Sequence, residues 1–480
     1  MPDSSYRVEQ IQINADDKTP VALYANLRQM FPETLLLECV ETRSFETAAS
    51  YLCADPLARF SIRDNAVVVE QSGRRIAAVK LDHSEKLIRA FEEFQDDLKT
   101  KLDHENQVGN DLLGLFGYIG FNAIPFLEDI KFGRQPPAGE TIPALQFALY
   151  RYVLRFDHYR HTLTVIGLQD QNESALGLKQ LLTKITARRA IEFPFAANGA
   201  EKSEMNDSEF AETVKICQQH IQRGDVFQIV PSRKFTQQFS GDEFQVYRAL
   251  RRINPSPFLF FYDYGGFSLF GSSPEAQLIV KNRTATLHPI AGTYPRGADP
   301  AQDKLFANNL QNDAKEIAEH TMLVDLARND LGRHCRAIEV EKFKEAEFYS
   351  HVIHLVSKVT GSLSDETNAF RILADTFPAG TLSGAPKYRA LQILNELEPS
   401  ARSFYGGSVG FFGLDGASCT QAIMIRSFLA KNRQLIFQAG VGIVAGSVPE
   451  TETAEVRNKL AALRRAISQA EEQFAQGLRG

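Results

Sequence analysis

The stretch from Asp313 to Gly332, which reads DAKEIAEHTMLVDLARNDLG, predicts a helix. Apolar and small side chains recur there at steps of three and four residues, the spacing that places them on one buried face. This predicted stripe consists of Leu310, Ala314, Ile317, Thr321 and Val324. The residues Asn329, Asp330 and Gly332 at the end of the stretch are typical of a helix C-terminus.

Beside that stripe, Glu316, Glu319 and His320 stand at positions i, i+3 and i+4, so their side chains are neighbours on the helix surface. Two carboxylates this close repel each other unless a cation or a proton lies between them. Taken alone, the segment fits a solvated acidic face. It also fits half of an oxygen-ligand site for a hard divalent cation. Residues elsewhere in the chain are needed to distinguish these two interpretations.

Composition limits the classes of protein to which this chain can belong. Its 480 residues allow two or more domains or one large one, and 44% hydrophobic with 23% charged residues is typical of a globular protein. A formal net charge of −6 argues against a nucleic-acid partner, because no basic stripe is present to meet phosphates. No apolar run approaches the roughly 18 residues of a membrane-spanning helix, so no membrane is expected as a partner.

The cysteines and the first residues of the chain predict a cytoplasmic location. The cysteines are widely spaced, at Cys39, Cys53, Cys217, Cys335 and Cys419. No two of them form a C-x-x-C pair, which argues against a disulfide framework and a structural zinc site. The first residues, MPDSSYRVEQ, lack the basic and then apolar pattern of a signal peptide.

Composition near residues 193–207 predicts a division of the chain into two parts. Small, polar and turn-forming residues collect in this segment, FPFAANGAEKSEMND, which is a candidate linker. Asn206 and Glu209 resemble a capping box that starts a new helix. We therefore expect an N-terminal region at residues 1–200 and a catalytic domain at residues 207–470.

Short motifs in the second part carry polar residues at places where a site can form. Alternation within the strand-like DVFQIVPSRKF puts Gln228 among apolar neighbours. Glu275 follows a strand end in GSSPE, and Gly292-Thr293 lies in a turn-rich loop whose backbone N–H groups suit an anion. The segment GTLSGAPK at residues 380–387 lacks the spacing of a nucleotide-binding phosphate loop.

A second pair of carboxylates lies on the predicted last helix. Glu452 and Glu455 again lie beside an apolar stripe, with Lys459 further along. Together with the first acidic pair, the glycine-rich loops and Arg426 in the strand-like IMIRSFL, they indicate a magnesium site that faces an anionic small ligand. His320 is then structural, because magnesium prefers oxygen ligands. These residues indicate the metal and the charge of the ligand but do not identify the reaction.

Ordered motifs from about residue 226 to residue 460 resemble the chorismate-utilising enzymes. The resemblance lies in the strings QIVPSRKF, NPSP, SSPE, PIAGTYPRG, KEIAEHTMLVDLARNDLG, HLVSKVTG, GTLSGAPKYRA, YGGSVGFF and QAGVGIV. Within that family they are most similar to anthranilate synthase component I. Weaker similarity in LLLEC, GLFGYIGF and VLRFDH covers the first half.

This resemblance implies an α+β fold, a large two-sheet sandwich of mainly antiparallel strands with helices on the outside. Both halves of the chain are expected to contribute to it. The resemblance also implies that Glu319 and Glu455 ligate Mg2+. Glu316 and Glu452 are expected to contact these ligands or to bind the ion through water. The ion holds the ring carboxylate of chorismate, and Lys459 lies near both.

The resemblance further assigns roles to residues around the substrate. Glu275 is the expected general acid for the leaving ring hydroxyl, and His354 is associated with the elimination that follows. Arg426 clamps the enolpyruvyl carboxylate. The other expected substrate contacts are Gly292, Thr293, Tyr405, Gly440, Val441 and Gly442.

Two positions distinguish the activities within the family. Relatives that add water carry a lysine base where this chain has Gln228, and aminodeoxychorismate synthases carry a nucleophilic lysine where it has Ala291. A neutral amide cannot deprotonate water at neutral pH, and a methyl group cannot attack the ring. The resemblance therefore implies ammonia as the nucleophile, with an aminodeoxyisochorismate that loses pyruvate to give anthranilate, the first step of tryptophan biosynthesis.

The source of ammonia and the regulation imply further partners. No Gly-x-Cys-x-Gly nucleophile elbow surrounds a cysteine, so a separate glutamine amidotransferase subunit is expected. Tryptophan is the expected feedback inhibitor, at Cys39, Pro257, Phe258 and Leu259. The family has serine at the position of Cys39, and a thiol is a weaker donor than a hydroxyl. Two alternatives remain, an aminodeoxychorismate synthase component I and a chorismate or tryptophan sensor without turnover.

Overall fold

The fold is described here from a computed structural model, for residues 6–39, 48–102, 109, 112–170, 175–187, 190–348 and 352–477. The strands are β1 (Tyr6–Asn14), β2 (Thr34–Cys39), β3 (Ala49–Arg63), β4 (Ala66–Gln71), β5 (Arg74–Lys80), β6 (Gly114–Ile119), β7 (Leu145–Asp157), β8 (Thr162–Asp170), β9 (Phe195–Ser203), β10 (Gln228–Ile229), β11 (Ser232–Gly241), β12 (Phe258–Asp263), β13 (Ser268–Ser273), β14 (Ala276–Lys281), β15 (Thr284–Leu287), β16 (Ile290–Pro295), β17 (Cys335–Phe348), β18 (Val352–Leu363), β19 (Gly384–Ala385), β20 (Ser408–Gly413), β21 (Cys419–Ile423), β22 (Ser427–Lys431) and β23 (Gln434–Gly440). The α-helices are α1 (Pro20–Leu27), α2 (Ser84–Thr100), α3 (Leu178–Ala187), α4 (Asp207–Gln222), α5 (Phe244–Ile253), α6 (Pro300–Asn312), α7 (Ala314–Leu331), α8 (Ala369–Thr376), α9 (Gly380–Ser383), α10 (Lys387–Leu397) and α11 (Pro449–Gly477).

Strands β3 and β7 form a long antiparallel pair from which the rest of the sheet extends. A bulge after Pro56, next to Asp55 with a left-handed φ of 63°, bends β3 part-way along this pair. On one side of the bulge β3 pairs with β2, and on the other side it pairs with β4. In the same way, β7 pairs with β8 along one half and with β6 along the other. The sheet therefore branches into two arms at this pair.

The strands within each arm are antiparallel, and the two arms face each other. The first arm runs from β2 through β12, β13, β22, β23 and β11 to β9. The second arm runs from β6 through β20, β21, β14 and β15 to β18, which also pairs with β16 and β17. The Tyr262 hydroxyl of the first arm donates to the carbonyl oxygen of Gly410 in the second, at 3.4 Å. The expected α+β fold with two mainly antiparallel sheets is confirmed.

Strand β12 is buried on both faces, which shows where the helices lie. Its residues Phe260 and Tyr262 belong to the hydrophobic cluster between the arms. The alternate residues Leu259 and Phe261 belong to a second cluster, which α1, α3, α4, α5, α10 and α11 cover. These helices therefore pack on the outside of the first arm. In the part of the chain that the structure describes, no helix combines the length and the apolar character needed to cross a membrane.

Strands from the two halves of the chain pair with each other in both arms. Strand β2 pairs with β12, and β6 pairs with β20. The boundary between residues 1–200 and 207–470 stays a prediction. The predicted linker is wrong, because Phe195–Ser203 forms β9 and pairs with β11. This strand is largely exposed, so backbone hydrogen bonds rather than apolar side chains hold it, and its composition does not reveal it.

The helix expected over residues 313–332 is confirmed as α7, but its buried face differs from the predicted stripe. Ala314 is exposed, and Leu310 belongs to the preceding helix α6. Asp313 between the two helices is extended, which interrupts the helical spacing. The buried side chains of α7 include His320, Leu323, Val324, Ala327 and Leu331.

Gly117 in β6 has no room for a side chain. A Cβ atom there would lie 1.9 Å from the carbonyl oxygen of Gln146 and 2.6 Å from the Cα of Phe147, both in the backbone of β7. We expect Gly117→Ala to lower the free energy of unfolding by about 1–3 kcal/mol, the usual cost of overpacking. Urea unfolding followed by circular dichroism measures the change.

The matched control is Gly133→Ala, because among the described residues, apart from Gly133 and its two chain neighbours, no atom lies within 4 Å of a Cβ at this position. We expect this variant to change the free energy of unfolding by less than about 1 kcal/mol. Equal stability of the two variants would contradict the close approach of β6 and β7.

Candidate active site

Gln228 and Glu319 meet in the folded protein although 91 positions separate them in the sequence. Gln228 begins β10, and its Nε2 donates to Oε1 of Glu319 on α7 at 2.7 Å. Gly442 lies against this pair, since a Cβ there would lie 2.8 Å from Nε2 of Gln228 and 3.8 Å from Oε1 of Glu319. The amide of Gln228 is therefore committed to a carboxylate.

Gly292 lies between His354 and Glu316, the second glutamate of the pair on α7. Its φ of 71° suits glycine, and a Cβ there would lie 2.9 Å from Oε2 of Glu316. The carbonyl oxygen of Gly292 lies 2.9 Å from Nδ1 of His354, and Thr293 is opposite His354 in the β16–β18 pairing. A carbonyl only accepts, so Nδ1 carries the proton. Burial lowers the pKa of His354, although the bond to Gly292 opposes this, so the ring is neutral at pH 7.

Glu275 has the electrostatics of a general acid. It lies between β13 and β14, and its Oε1 accepts a hydrogen bond from Oγ1 of Thr381 at 3.1 Å. Burial raises the pKa of Glu275 to about 7, although Thr381, Lys459 and Arg426 all act to lower it. A large fraction of this carboxyl group is therefore protonated near neutral pH, as proton donation requires.

Arg426 lies in a turn and not in the strand that the sequence predicts. Strand β21 ends at Ile423, β22 begins at Ser427, and Arg426 between them has a left-handed φ of 49°. Continuous apolar runs on both sides hide this break in the sequence. Nη1 of Arg426 donates to Oδ1 of Asn254 at 3.4 Å. Burial lowers the pKa of Arg426 while Glu275 acts to raise it, and the guanidinium stays cationic at neutral pH.

Tyr405, Gly440 and Lys459 form a further part of the site. A Cβ on Gly440 would lie 3.3 Å from the Tyr405 hydroxyl, and Nζ of Lys459 donates to the carbonyl oxygen of Gly440 at 3.0 Å. The same ammonium lies 2.9 Å from Oε1 of Glu455. Burial raises the pKa of Tyr405 to about 12, so its hydroxyl keeps its proton. Val441, next to Gly440, is buried.

The glutamates of α7 and α11 provide carboxylate oxygens, the ligands that Mg2+ prefers. On α7, Glu316 lies close to Gly292 and Glu319 lies close to Gly442. Glu455 of α11 is joined through Lys459 to Gly440. Glu452 is buried on the same helix. Among the described residues, no three His, Cys, Asp or Glu side chains already form a group that could hold a metal. The chemistry fits magnesium, with the ligands arranged as pairs on two helices.

His320 is separate from this set of oxygen ligands. Its side chain is fully buried, and its Nε2 lies 2.6 Å from Oγ of Ser357. Burial lowers its pKa to about 4, with the charge of Lys344 acting in the same direction. A neutral ring in contact with a serine agrees with the structural role that the sequence suggests.

Comparison with known proteins assigns this site to a family. The chain matches the chorismate binding enzyme family over residues 43–465, and it is 41% identical over 393 residues to anthranilate synthase component 1 of Geobacillus stearothermophilus, with 76% of each chain covered. This chain belongs to the anthranilate synthase component 1 family of chorismate binding enzymes.

Other members agree over nearly the full length. The chain is 35% identical to anthranilate synthase component 1 of Bacillus caldotenax, over 97% of this chain and 94% of the relative. Its fold resembles anthranilate synthase component I from Streptococcus pneumoniae TIGR4, with a TM-score of 0.72, 31% identity and coverage of 87% and 92% of the two chains. The menaquinone-specific isochorismate synthase of Escherichia coli shares the fold alone, with a TM-score of 0.70, 18% identity and coverage of 97% and 95%.

The four residues that the family resemblance associates with tryptophan lie together where β2 meets β12. Phe258 is opposite Cys39 in the register, and Leu259 is opposite Glu38. Pro257 immediately precedes β12. These four positions are neighbours along the backbone, but the side chain of Leu259 belongs to the outer hydrophobic cluster and that of Phe258 to the cluster between the arms. The binding of tryptophan there stays a prediction.

Two residues of the site are not apparent from the sequence. Thr381 orients Glu275, but an isolated hydroxyl in GTLSGAPK has no periodic signal. Asn254 accepts from Arg426, but its position at the start of NPSP suggests only a turn former. Lys387 at the start of α10 is not open to an anion, because its ammonium donates to Oδ2 of Asp330 at 3.1 Å.

We expect the imidazole of His354 to titrate below the ordinary histidine value of 6.5, because burial disfavours the cation. Its bond to the Gly292 carbonyl predicts the Nδ1–H tautomer throughout the neutral range. A series of carbon–proton and nitrogen–proton correlation NMR spectra against pH measures both properties, and His354→Gln assigns the signal. A midpoint above 6.5, or an Nε2–H tautomer, would contradict this geometry.

Proposed function

We propose that this protein is the large subunit of an anthranilate synthase, which converts chorismate and ammonia into anthranilate and pyruvate. The observation that carries the proposal is the hydrogen bond of Gln228 to Glu319, at 2.7 Å. A neutral amide that already donates to a carboxylate cannot act as a base on water. Ala291 likewise supplies no nucleophile for a covalent intermediate. Ammonia requires neither group, because it is itself the nucleophile.

In the first step, ammonia attacks a ring carbon of chorismate while the ring hydroxyl leaves as water. Glu275 gives its proton to that hydroxyl, and its raised pKa keeps the proton available near neutral pH. The hydrogen bond from Thr381 holds the carboxyl group in one orientation. The attacking nitrogen loses a proton in turn, so the step yields aminodeoxyisochorismate and water.

In the second step, the ring loses a proton and the bond to the enolpyruvyl oxygen breaks, which makes the ring aromatic. The enolpyruvyl group takes up one proton at its methylene carbon and leaves as pyruvate. We assign His354 to this elimination from the family resemblance. Its Nδ1–H is fixed by Gly292, so Nε2 is the nitrogen that accepts a proton. The lowered pKa keeps the imidazole neutral and able to accept.

Charged and backbone groups bind the two carboxylates of the substrate. The planar guanidinium of Arg426 can donate two parallel hydrogen bonds to the enolpyruvyl carboxylate, with Tyr405 beside it. Lys459 contributes a positive charge next to Gly440, on the side of the ring carboxylate. The proposed backbone contacts are Gly292, Thr293, Gly440, Val441 and Gly442.

Mg2+ would be held by Glu319 and Glu455, with Glu316 and Glu452 around them. When bound, the ion neutralises and orients the ring carboxylate of chorismate. Lys459 pairs with Glu455 at 2.9 Å and so restrains the position of this carboxylate.

A separate glutamine amidotransferase subunit would supply the ammonia, because this sequence contains no nucleophile elbow around a cysteine. Tryptophan would act as feedback inhibitor at the junction of β2 and β12. Cys53, Cys217, Cys335 and Cys419 are buried free thiols, which fits a reducing cytoplasm.

One assay distinguishes this function from the alternatives. The purified protein receives chorismate, magnesium chloride and an ammonium salt, while anthranilate fluorescence and pyruvate release are followed. Anthranilate and pyruvate in equal amounts support the proposal. An amino product that keeps the enolpyruvyl group identifies an aminodeoxychorismate synthase, and binding of chorismate without turnover identifies a sensor.

We expect Glu319→Gln to lower turnover by at least about 100-fold, because it replaces a charged ligand by a neutral amide, which also accepts less strongly from Gln228. Thermal unfolding should be unchanged, since the side chain keeps its size. The control is Glu471→Gln on an exposed part of α11, which should keep full activity. Full activity of Glu319→Gln would disprove the metal assignment.

The pH dependence should follow the protonation of Glu275. A general acid acts in its protonated form, so at constant free ammonia we expect kcat/KM for chorismate to fall as pH rises through about 7. Glu275→Gln should remove this limb and lower kcat by about 10²–10⁴-fold. Wild-type activity that already falls near the ordinary value of 4.5 would contradict the assignment.

A further inference from the structure

The ion pair of Arg402 and Glu398 lies next to the site and has no role in the steps described above. The two side chains are 1% and 8% exposed. Nε and Nη2 of Arg402 donate to the two carboxylate oxygens of Glu398 at 2.8 and 2.7 Å. Burial of such a pair is a weak source of stability, because the loss of hydration offsets the attraction. The role of the pair must therefore be sought in the other groups to which Arg402 and Glu398 are hydrogen-bonded.

Arg402 also donates to two backbone carbonyl oxygens. Nη1 donates to Leu382 and Nη2 to Val230, both at 2.6 Å. Leu382 directly follows the threonine that donates to Glu275. Val230 lies two positions after Gln228. The guanidinium thus connects the segment that orients the general acid with the segment that carries the amide.

Glu398 extends the same network to the strand that contributes Gly440. Its Oε1 accepts from the backbone N–H of Ser232 at 2.8 Å and from its hydroxyl at 2.5 Å. The Ser232 hydroxyl accepts from Nε2 of Gln438 at 2.6 Å, and Gln438 lies two positions before Gly440 in β23. The hydrogen bonds of the ion pair therefore end on segments that carry site residues.

We propose that this ion pair positions the site, with Arg402 holding Thr381 against Glu275 through Leu382 and with Glu398 holding the Gly440 strand through Ser232. Arginine suits this role because its planar fork serves one carboxylate and two carbonyls at once, which an ammonium group cannot do. The inference rests on the proposed function, in which Glu275 is the acid.

Other charged groups also face Glu275. Lys459 and Arg426 act on it through space, and His288 and Asp330 line a cavity of about 60 Å³ beside it. The hydrogen bonds of Arg402 go to none of these four residues. A change at Arg402 should therefore reach Glu275 mainly through the Thr381 segment.

Arg402→Lys keeps the positive charge and removes the fork. We expect kcat to fall by about 10–100-fold through misplacement of the acid, with a smaller change in KM for chorismate. The alkaline limb of kcat/KM, measured at constant free ammonia, should move to higher pH. The reason is that the Thr381 hydrogen bond stabilises the ionised form of Glu275 and is weakened in the variant. An unmoved limb overturns this part of the proposal.

Arg28→Lys is the matched control. Arg28 donates from Nη1 to both oxygens of Asp242 at 3.0 and 2.8 Å, and its guanidinium lies 4.8 Å from the Phe244 ring. We expect this variant to lose thermal stability but to keep kcat, KM and the pH limb of the wild type. If Arg402→Lys behaves in the same way, its role is structural only and the proposal fails.

Ser232→Ala tests the second part of the network and serves if Arg402→Lys does not fold. It removes the hydroxyl between Glu398 and Gln438 and leaves the ion pair intact. We expect KM for chorismate to rise several-fold, with kcat and the pH limb little changed. An unchanged KM overturns the positioning role. A wild-type protein that makes no anthranilate overturns the proposed function instead.

Discussion

The antiparallel pairing of β3 with β7 determines how the two arms of the sheet are placed. Both strands change partners at the bend, so the two arms of the sheet are joined there. The chain crosses between the arms again at two neighbouring places. Glu275 lies between β13 of the first arm and β14 of the second, and Arg426 lies between β21 of the second arm and β22 of the first. The proposed general acid and the proposed carboxylate clamp are therefore both at crossings, where the backbone leaves one arm of the sheet for the other.

Burial at these crossings has opposite consequences for the two charges. It raises the pKa of Glu275 and lowers that of Arg426, because loss of water disfavours the charged form in each case. For the carboxyl group the effect retains a proton near neutral pH, which general acid catalysis needs. For the guanidinium the effect is too small to remove the charge, since arginine stays protonated in proteins. One environment thus provides a neutral acid beside a permanent cation.

Local patterns in the sequence predict much of this arrangement, and long-range pairing accounts for what they miss. Helix α7 and the capping box of Asn206 and Glu209 are confirmed, because both depend on residues close in the sequence. The exposed strand β9 is not found because its pairing partner β11 lies elsewhere in the chain, and the turn at Arg426 is not found because apolar residues flank it on both sides. Thr381 becomes recognisable only when its distance to Glu275 is known. The family resemblance supplies the roles of the paired glutamates, which spacing alone leaves as either surface or site.

The NPSP turn connects the predicted inhibitor residues directly to Arg426, the proposed carboxylate clamp. Asn254 at its start accepts from Arg426 and donates to Oγ of Ser272, and its last proline leads directly into Phe258 opposite Cys39. Proline fixes φ, so a turn with two prolines has few conformations available between its ends. A displacement of β12 relative to β2 would therefore be carried to Asn254 rather than absorbed within the turn. Because Asn254 contacts the Arg426 guanidinium directly, coupling between the two regions requires no longer chain of contacts than this one turn.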